Sequence, residues 1–215
     1  MKVKICGITG LTTAIAAVDY GADALGFVFA ESKRKITEVK AKEIIEHLPR
    51  EILKVGVFVN EAKEKIEEIA SSVGLTHVQL HGDETPAFCE SLSYPVIKAI
   101  SIHDEKSLKS IENYKCEYLL IDGPKGQYRG GNGLSFDWNC ISAGDLKEKK
   151  VILAGGLHEE NVEEAIKLIK PYMVDVSSGV ESEGKKDLNK IQSFIIKAKG
   201  SQTGGKGNEF IYTAE

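Results

Sequence analysis

A thiol at Cys6 and a carboxylate at Asp122 head the short set of side chains able to do chemistry in this chain of 215 residues. Each closes an apolar, strand-like run, Val3-Lys4-Ile5-Cys6 and Tyr118-Leu119-Leu120-Ile121-Asp122. Where such runs end at the mouth of a parallel barrel, their last residues meet substrate. Cys6 precedes Gly7, so the backbone there can approach a ligand closely, and the thiol would serve as base or nucleophile. A small buried hydrophobe is the competing reading, since free cysteine is common in cores. Asp122 is an ionisable group that is costly at the end of an apolar run unless it reaches a solvated or functional mouth. Its competing reading is a turn aspartate before Gly123-Pro124.

The same strand-end reading adds Phe29, His81, Ser101, Gly155 and Ser177. His81 is a substrate contact or a satisfied structural histidine. Arg34, in Ser32-Lys33-Arg34-Lys35, has the planar fork to hold a carboxylate bidentately, against the alternative of a solvated basic run. Ala154-Gly155-Gly156-Leu157 and Asp175-Val176-Ser177-Ser178-Gly179-Val180 follow consecutive strand runs. Glycine there lets backbone N–H groups crowd an anion, and a short helix N-terminus adds positive dipole. Gly130-Gly131-Asn132-Gly133 reads as a loop that folds over a ligand or as a plain turn. No His, Cys and carboxylate cluster has metal-ligand spacing, and no P-loop occurs.

These groups need a scaffold, and the sequence supplies eight strand candidates: Val3–Cys6, Ala24–Phe29, Leu53–Val59, Thr76–Leu80, Val96–Ile100, Tyr118–Ile121, Val151–Ala154 and Met173–Val176. Helical stripes lie between them. Ile66, Ile69, Ala70 and Val73 run into Gly74; Ile44, Ile45 and Leu48 precede Pro49; Val162, Ala165, Ile166 and Ile169 precede Pro171; Leu188, Ile191, Ile195 and Ala198 follow the last strand. Thr85-Pro86 reads as an N-cap with proline in the first turn. A helix near Trp138 to Leu146 has the faintest pattern. Eight such βα units at even intervals predict a single-domain (β/α)8 TIM barrel over residues 1–200. An open doubly wound sheet is disfavoured because no G-x-G-x-x-G follows the first run. Residues 201–215, with Gly204-Gly205-Lys206-Gly207 and no apolar period, read as a flexible tail.

Composition narrows the partners. The chain is 42% hydrophobic and 28% charged, with 32 acidic against 28 basic residues and a formal charge of −4. No general positive field draws it to nucleic acid or to an anionic membrane, so an anionic partner must be small and bound locally. No apolar stretch nears a membrane span of about 20 residues. The four cysteines form no C-x-x-C pair, and a cytoplasmic location is expected. A monomer or a homodimer is expected.

Lys4-Ile5-Cys6-Gly7-Ile8-Thr9 closely resembles the opening motif of the phosphoribosylanthranilate isomerases. The likeness continues collinearly through Gly26-Phe27-Val28-Phe29, Ser32-Lys33-Arg34, Gly56-Val57-Phe58-Val59-Asn60, Val78-Gln79-Leu80-His81-Gly82, Gly130–Gly133, Ala154–Leu157 and Asp175–Glu181, spanning about residues 2–199. It implies an Amadori rearrangement of N-(5′-phosphoribosyl)anthranilate without metal or organic cofactor. By resemblance Cys6 is the general base and Asp122 the general acid. Arg34 would hold the anthranilate carboxylate, and Asp175 would be a polar neighbour of the acid. Gly155, Gly156, Ser178 and Gly179 would form the phosphate cradle. Gly123-Pro124 departs from the more polar stretch expected after the acid. The related histidine-pathway isomerase has an aspartate where Cys6 stands. Indole-glycerol-phosphate synthase needs a catalytic lysine and a longer N-terminal segment. A non-catalytic phosphosugar-binding barrel would show a spoiled acid–base pair, and both members are present.

Overall fold

The barrel strands are short apolar runs because each has to be buried on two faces, by the lumen inside and by helices outside. In the computed structural model, which describes residues 1–102, 110–122 and 149–200, they are β1 (Lys2–Cys6), β2 (Ala24–Val28), β3 (Leu53–Phe58), β4 (His77–Leu80), β5 (Val96–Ser101), β6 (Tyr118–Asp122), β7 (Lys150–Leu153) and β8 (Met173–Val176). They pair in chain order, all parallel, and β1 closes on β8 through Lys4↔Asp175 and Ile5↔Val176. The expected (β/α)8 barrel is what the structure shows, with strand limits within a residue or two of the sequence reading. The proposed loop Gly130–Gly133, the faint helix at 138–146, the stretch after Asp122 and the tail 201–215 lie outside the described residues.

Local chemistry marks several ends of the helices that back the strands. Helices α1 (Leu11–Asp19), α2 (Glu38–Glu46), α3 (Lys63–Val73), α4 (Pro86–Ser91), α5 (Val162–Ile169) and α6 (Leu188–Gly200) are described. The Thr37 hydroxyl accepts from the Lys40 amide at the start of α2, and Thr85 does the same for Phe88 at the start of α4. Helix α3 stops at Gly74, whose φ of 80° is the left-handed cap expected of glycine.

Alternation along β1 sorts its residues. Val3 and Ile5 pack outward into the main core with Ala17, Phe194 and Ile195. Lys4 and Cys6 occupy the opposite face. A second core fills the lumen with Ala24, Val55, Ile97, Leu120, Ile152 and Met173. After β8 the chain makes a 3-10 turn (Ser178–Val180) and then a small antiparallel pair, β9 (Glu181–Ser182) and β10 (Lys185–Lys186). Glu183 and Gly184 have φ of 53° and 75°, the double positive φ that a tight two-residue hairpin needs.

Candidate active site

The C-terminal ends of the strands open into a cavity of about 490 Å³. Its lining includes Cys6, Arg34, His81, Asp122, Gly155, Gly156, Asp175 and Ser178. Every side chain singled out at a strand end for chemistry except Ser101 therefore meets in one place. Gly179 sits behind the lining. A β-carbon there would lie 1.9 Å from the Leu157 carbonyl oxygen, so glycine is what lets the turn after β8 press against the loop after β7.

On the β1 side the thiol rests on buried charge. Lys4, fully buried, donates from Nζ to Asp175 Oδ1 at 2.9 Å. The Lys4 ammonium also faces Cys6. Across the ladder, a β-carbon on Gly26 would come within 2.7 Å of the Cys6 sulfur, so the neighbouring strand leaves the thiol its room. Burial pushes the Cys6 thiol up, opposed by the nearby Lys4 and Lys186 ammoniums. Asp175 thus pairs with Lys4 on the thiol's side of the mouth.

Beside this, Arg34 is neither solvated nor idle. Its Nε and Nη2 donate to Glu181 Oε1 and Oε2 at 2.6 and 2.8 Å, a bidentate fork. Lys186 Nζ donates to the same Glu181 Oε1 at 2.6 Å and to the Ser177 carbonyl at 2.8 Å, and Ser177 Oγ in turn donates to the Cys6 carbonyl at 3.1 Å. Burial works against ionising Glu181, but its two cationic partners outweigh it and hold the carboxyl below the usual range. Burial also pulls the Lys186 ammonium down. In the sequence Glu181 closes the motif Asp175–Glu181 with no role of its own, and nothing singles out Lys186. The one local signal was Glu183-Gly184, a hairpin turn that folds Lys186 back onto Glu181. Gly7 belongs to the same arrangement: with φ at 82°, it leaves the space where the Arg34 chain crosses the end of β1, 2.4 Å from where a β-carbon would sit.

The opposite side of the mouth is sparser. His81 Nε2 stands 3.3 Å from Asp122 Oδ2, aligned too poorly for a regular hydrogen bond. His81 Nδ1 faces Gln79 Nε2 at 3.4 Å, and Gln79 Oε1 has no partner among the described residues. Below the two loops, Gly155 and Gly156 take φ of 82° and 66°. Asn161 fixes their turn by donating from Nδ2 to the Gly156 carbonyl at 2.9 Å and accepting the His158 amide at 2.9 Å. Positive-φ glycines facing a 3-10 turn are the kind of backbone that turns its amides toward an anion. Among the described residues no group of three or more His, Cys, Asp or Glu is placed to hold a metal ion.

A parallel eight-stranded barrel with a thiol, a carboxyl, a guanidinium and an anion-ready pair of loops around one cavity is the architecture of a phosphosugar-handling barrel enzyme. The comparisons sharpen this class to one family. The model of the N-(5′-phosphoribosyl)anthranilate (PRA) isomerase family matches residues 3–197, and the chain belongs to that family. It is 58% identical over 201 residues to the N-(5′-phosphoribosyl)anthranilate isomerase of Bacillus cereus (strain Q1), covering 93% of this chain and 98% of the relative. The crystal structure of phosphoribosyl anthranilate isomerase from Thermotoga maritima superposes with a TM-score of 0.86 at 44% identity, covering 93% of this chain and 99% of that one. A crystal structure of a phosphoribosyl anthranilate isomerase in complex with reduced 1-(o-carboxyphenylamino)-1-deoxyribulose 5-phosphate superposes with a TM-score of 0.83 at 43% identity, with the same coverage.

Proposed function

We propose that this barrel rearranges N-(5′-phosphoribosyl)anthranilate to 1-(2-carboxyphenylamino)-1-deoxyribulose 5-phosphate, the isomerase step of tryptophan biosynthesis, with residues 1–200 as the catalytic unit. The observation that carries the reading is the placement of Cys6 and Asp122 on β1 and β6, facing one cavity that also holds the glycine loops. Asp122 protonates the furanose ring oxygen and opens the sugar to an imine. Cys6 as thiolate removes the C2′ proton, giving the enolamine that tautomerises to the ketone. Both groups act on one ligand from different strands, which is what a transfer of protons between C1′, C2′ and the ring oxygen demands.

The remaining residues bind. Gly155, Gly156, Ser178 and Gly179 shape the phosphate cradle with backbone amides. Arg34 meets the anthranilate carboxylate, already oriented by the Glu181 fork. His81 contacts substrate beside the acid, and Asp175 holds Lys4 under the thiol. No cofactor enters this scheme. The partner is a small phosphosugar, and the chain works as a monomer or homodimer. Among the described residues no helix is long and apolar enough to cross a membrane. The three described cysteines are free thiols, which fits the reducing cytoplasm where we place the enzyme.

The test is a fluorescence assay that follows loss of phosphoribosylanthranilate, generated in place from anthranilate and phosphoribosyl pyrophosphate by a transferase. Decay that depends on this protein supports the reading. A folded protein that leaves the signal unchanged overturns it.

A further inference from the structure

Two thiols outside the catalytic cavity come together at the far end of the barrel. Cys89 lies buried on the short helix α4, and Cys116 lies half-buried in the segment that leads into β6. Three neighbouring contacts hold these segments in register. Tyr114 Oη donates to the Glu84 carbonyl at 3.0 Å, Lys115 Nζ pairs with Glu90 Oε2 at 3.3 Å, and Cys116 packs against the core cluster that includes Cys89. Residues 89 and 90 therefore face residues 116 and 115. Both cysteines line a separate cavity of about 210 Å³, shared with Tyr94, Lys115 and Tyr118. Cys116 precedes the start of β6, whereas Asp122 closes its other end.

We infer that Cys89 and Cys116 form a dithiol site that exchanges with a low-molecular-weight disulfide and closes into a reversible intramolecular disulfide. The cavity admits the small disulfide to the more exposed thiol. The Cys116 thiolate attacks one sulfur of the reagent, forming a mixed disulfide and expelling the first thiolate. Cys89 then gives up its proton to solvent and attacks the Cys116 sulfur, expelling the second. The protein loses two hydrogens, and one reagent disulfide becomes two thiols. The order of attack follows from the contact between the two groups. The mutual influence of the two side chains raises Cys89 and draws Cys116 below the ordinary thiol range. The bridge would tie α4 to the entry of β6 without touching the mouth that holds Cys6.

The experiment treats the folded full chain with oxidised glutathione, quenches with N-ethylmaleimide and reads intact mass and tryptic peptides. The expected product has lost two of four alkylatable thiols, carries a Cys89–Cys116 cross-linked peptide, melts several degrees higher and keeps its isomerase rate. Cys89→Ser should stop at a glutathione adduct on Cys116. Cys116→Ser should react at least about ten-fold more slowly. Four free thiols after treatment, a stable glutathione adduct on wild-type Cys116, or a cross-link through Cys6 or Cys140 would each overturn the inference.

Discussion

The two sides of the barrel mouth are built on different principles. Where β8, β1 and β2 meet, charges are saturated by one another: Lys4 with Asp175, and Arg34 and Lys186 with Glu181. At the ends of β4 and β6, which flank β5, Asp122 has His81 at 3.3 Å, and Gln79 Oε1 and His81 Nε2 find no hydrogen bond among the described residues. The first side is a preorganised electrostatic frame whose members cannot be removed singly without leaving a charge buried. The second leaves His81, in the cavity wall, with a ring nitrogen that a substrate oxygen can use. Removing one of the paired charges on the first side should therefore harm folding as well as turnover, and changes on the second turnover alone.

The largest expected effect falls on both sides equally. Cys6→Ser and Asp122→Asn each remove a positioned proton-transfer group and should lower kcat by about two to four orders of magnitude, with the far-ultraviolet circular dichroism unchanged. Near-normal turnover in either folded variant would reassign that residue to the core. Lys4→Met separates the sides. It leaves Asp175 buried without its cation and should destabilise the fold by about 3–5 kcal/mol in urea titrations, whereas His81→Asn should cost less than about 1.5 kcal/mol. Equal losses would erase the comparison.

Arg34→Lys comes next, since an ammonium reproduces neither the fork with Glu181 nor a bidentate grip on a carboxylate. We expect kcat/KM to fall by the equivalent of about 1–3 kcal/mol, mostly through KM. Glu181 adds a pH signature. Its folded carboxyl is held below the usual range by Arg34 and Lys186, against its burial, so its contribution to stability is present above the unfolded value of about 4.3 and is lost as pH falls through the folded value. Glu181→Gln should flatten that part of the acid-unfolding curve, and an unchanged slope would remove Glu181 from the frame. The smallest effect is on the cradle. Inorganic phosphate at ten times its dissociation constant should stabilise the protein by about 1.4 kcal/mol and compete with substrate. No shift in Tm and no inhibition at tens of millimolar would leave the glycine loops as ordinary turns.

How far the sequence foretold this depends on the range of the interaction. Strands show in the sequence because barrel burial demands β-branched and aliphatic runs, and Gly74 and Thr85-Pro86 mark helix ends through local backbone chemistry. Strand ends then point to Cys6, His81 and Asp122 without any knowledge of distance. The Arg34–Glu181 fork joins residues 147 apart and leaves no local trace. The hairpin of β9 and β10 escapes because two-residue strands carry no period. Lys4 carries no mark of its role in the sequence, because its partner Asp175 lies on the last strand of the barrel, 171 residues away.

The central claim is that the Cys6 thiolate takes the substrate proton, and the rate of its alkylation as a function of pH tests it most directly. The unreactive thiol form, favoured by burial, dominates at low pH, so both iodoacetamide labelling of Cys6 and kcat/KM should rise with pH through one shared midpoint above the ordinary thiol range. A reduced product analogue should protect the thiol. A midpoint for kcat/KM that departs from the labelling midpoint, or labelling of Cys6 that leaves turnover intact, would contradict the account.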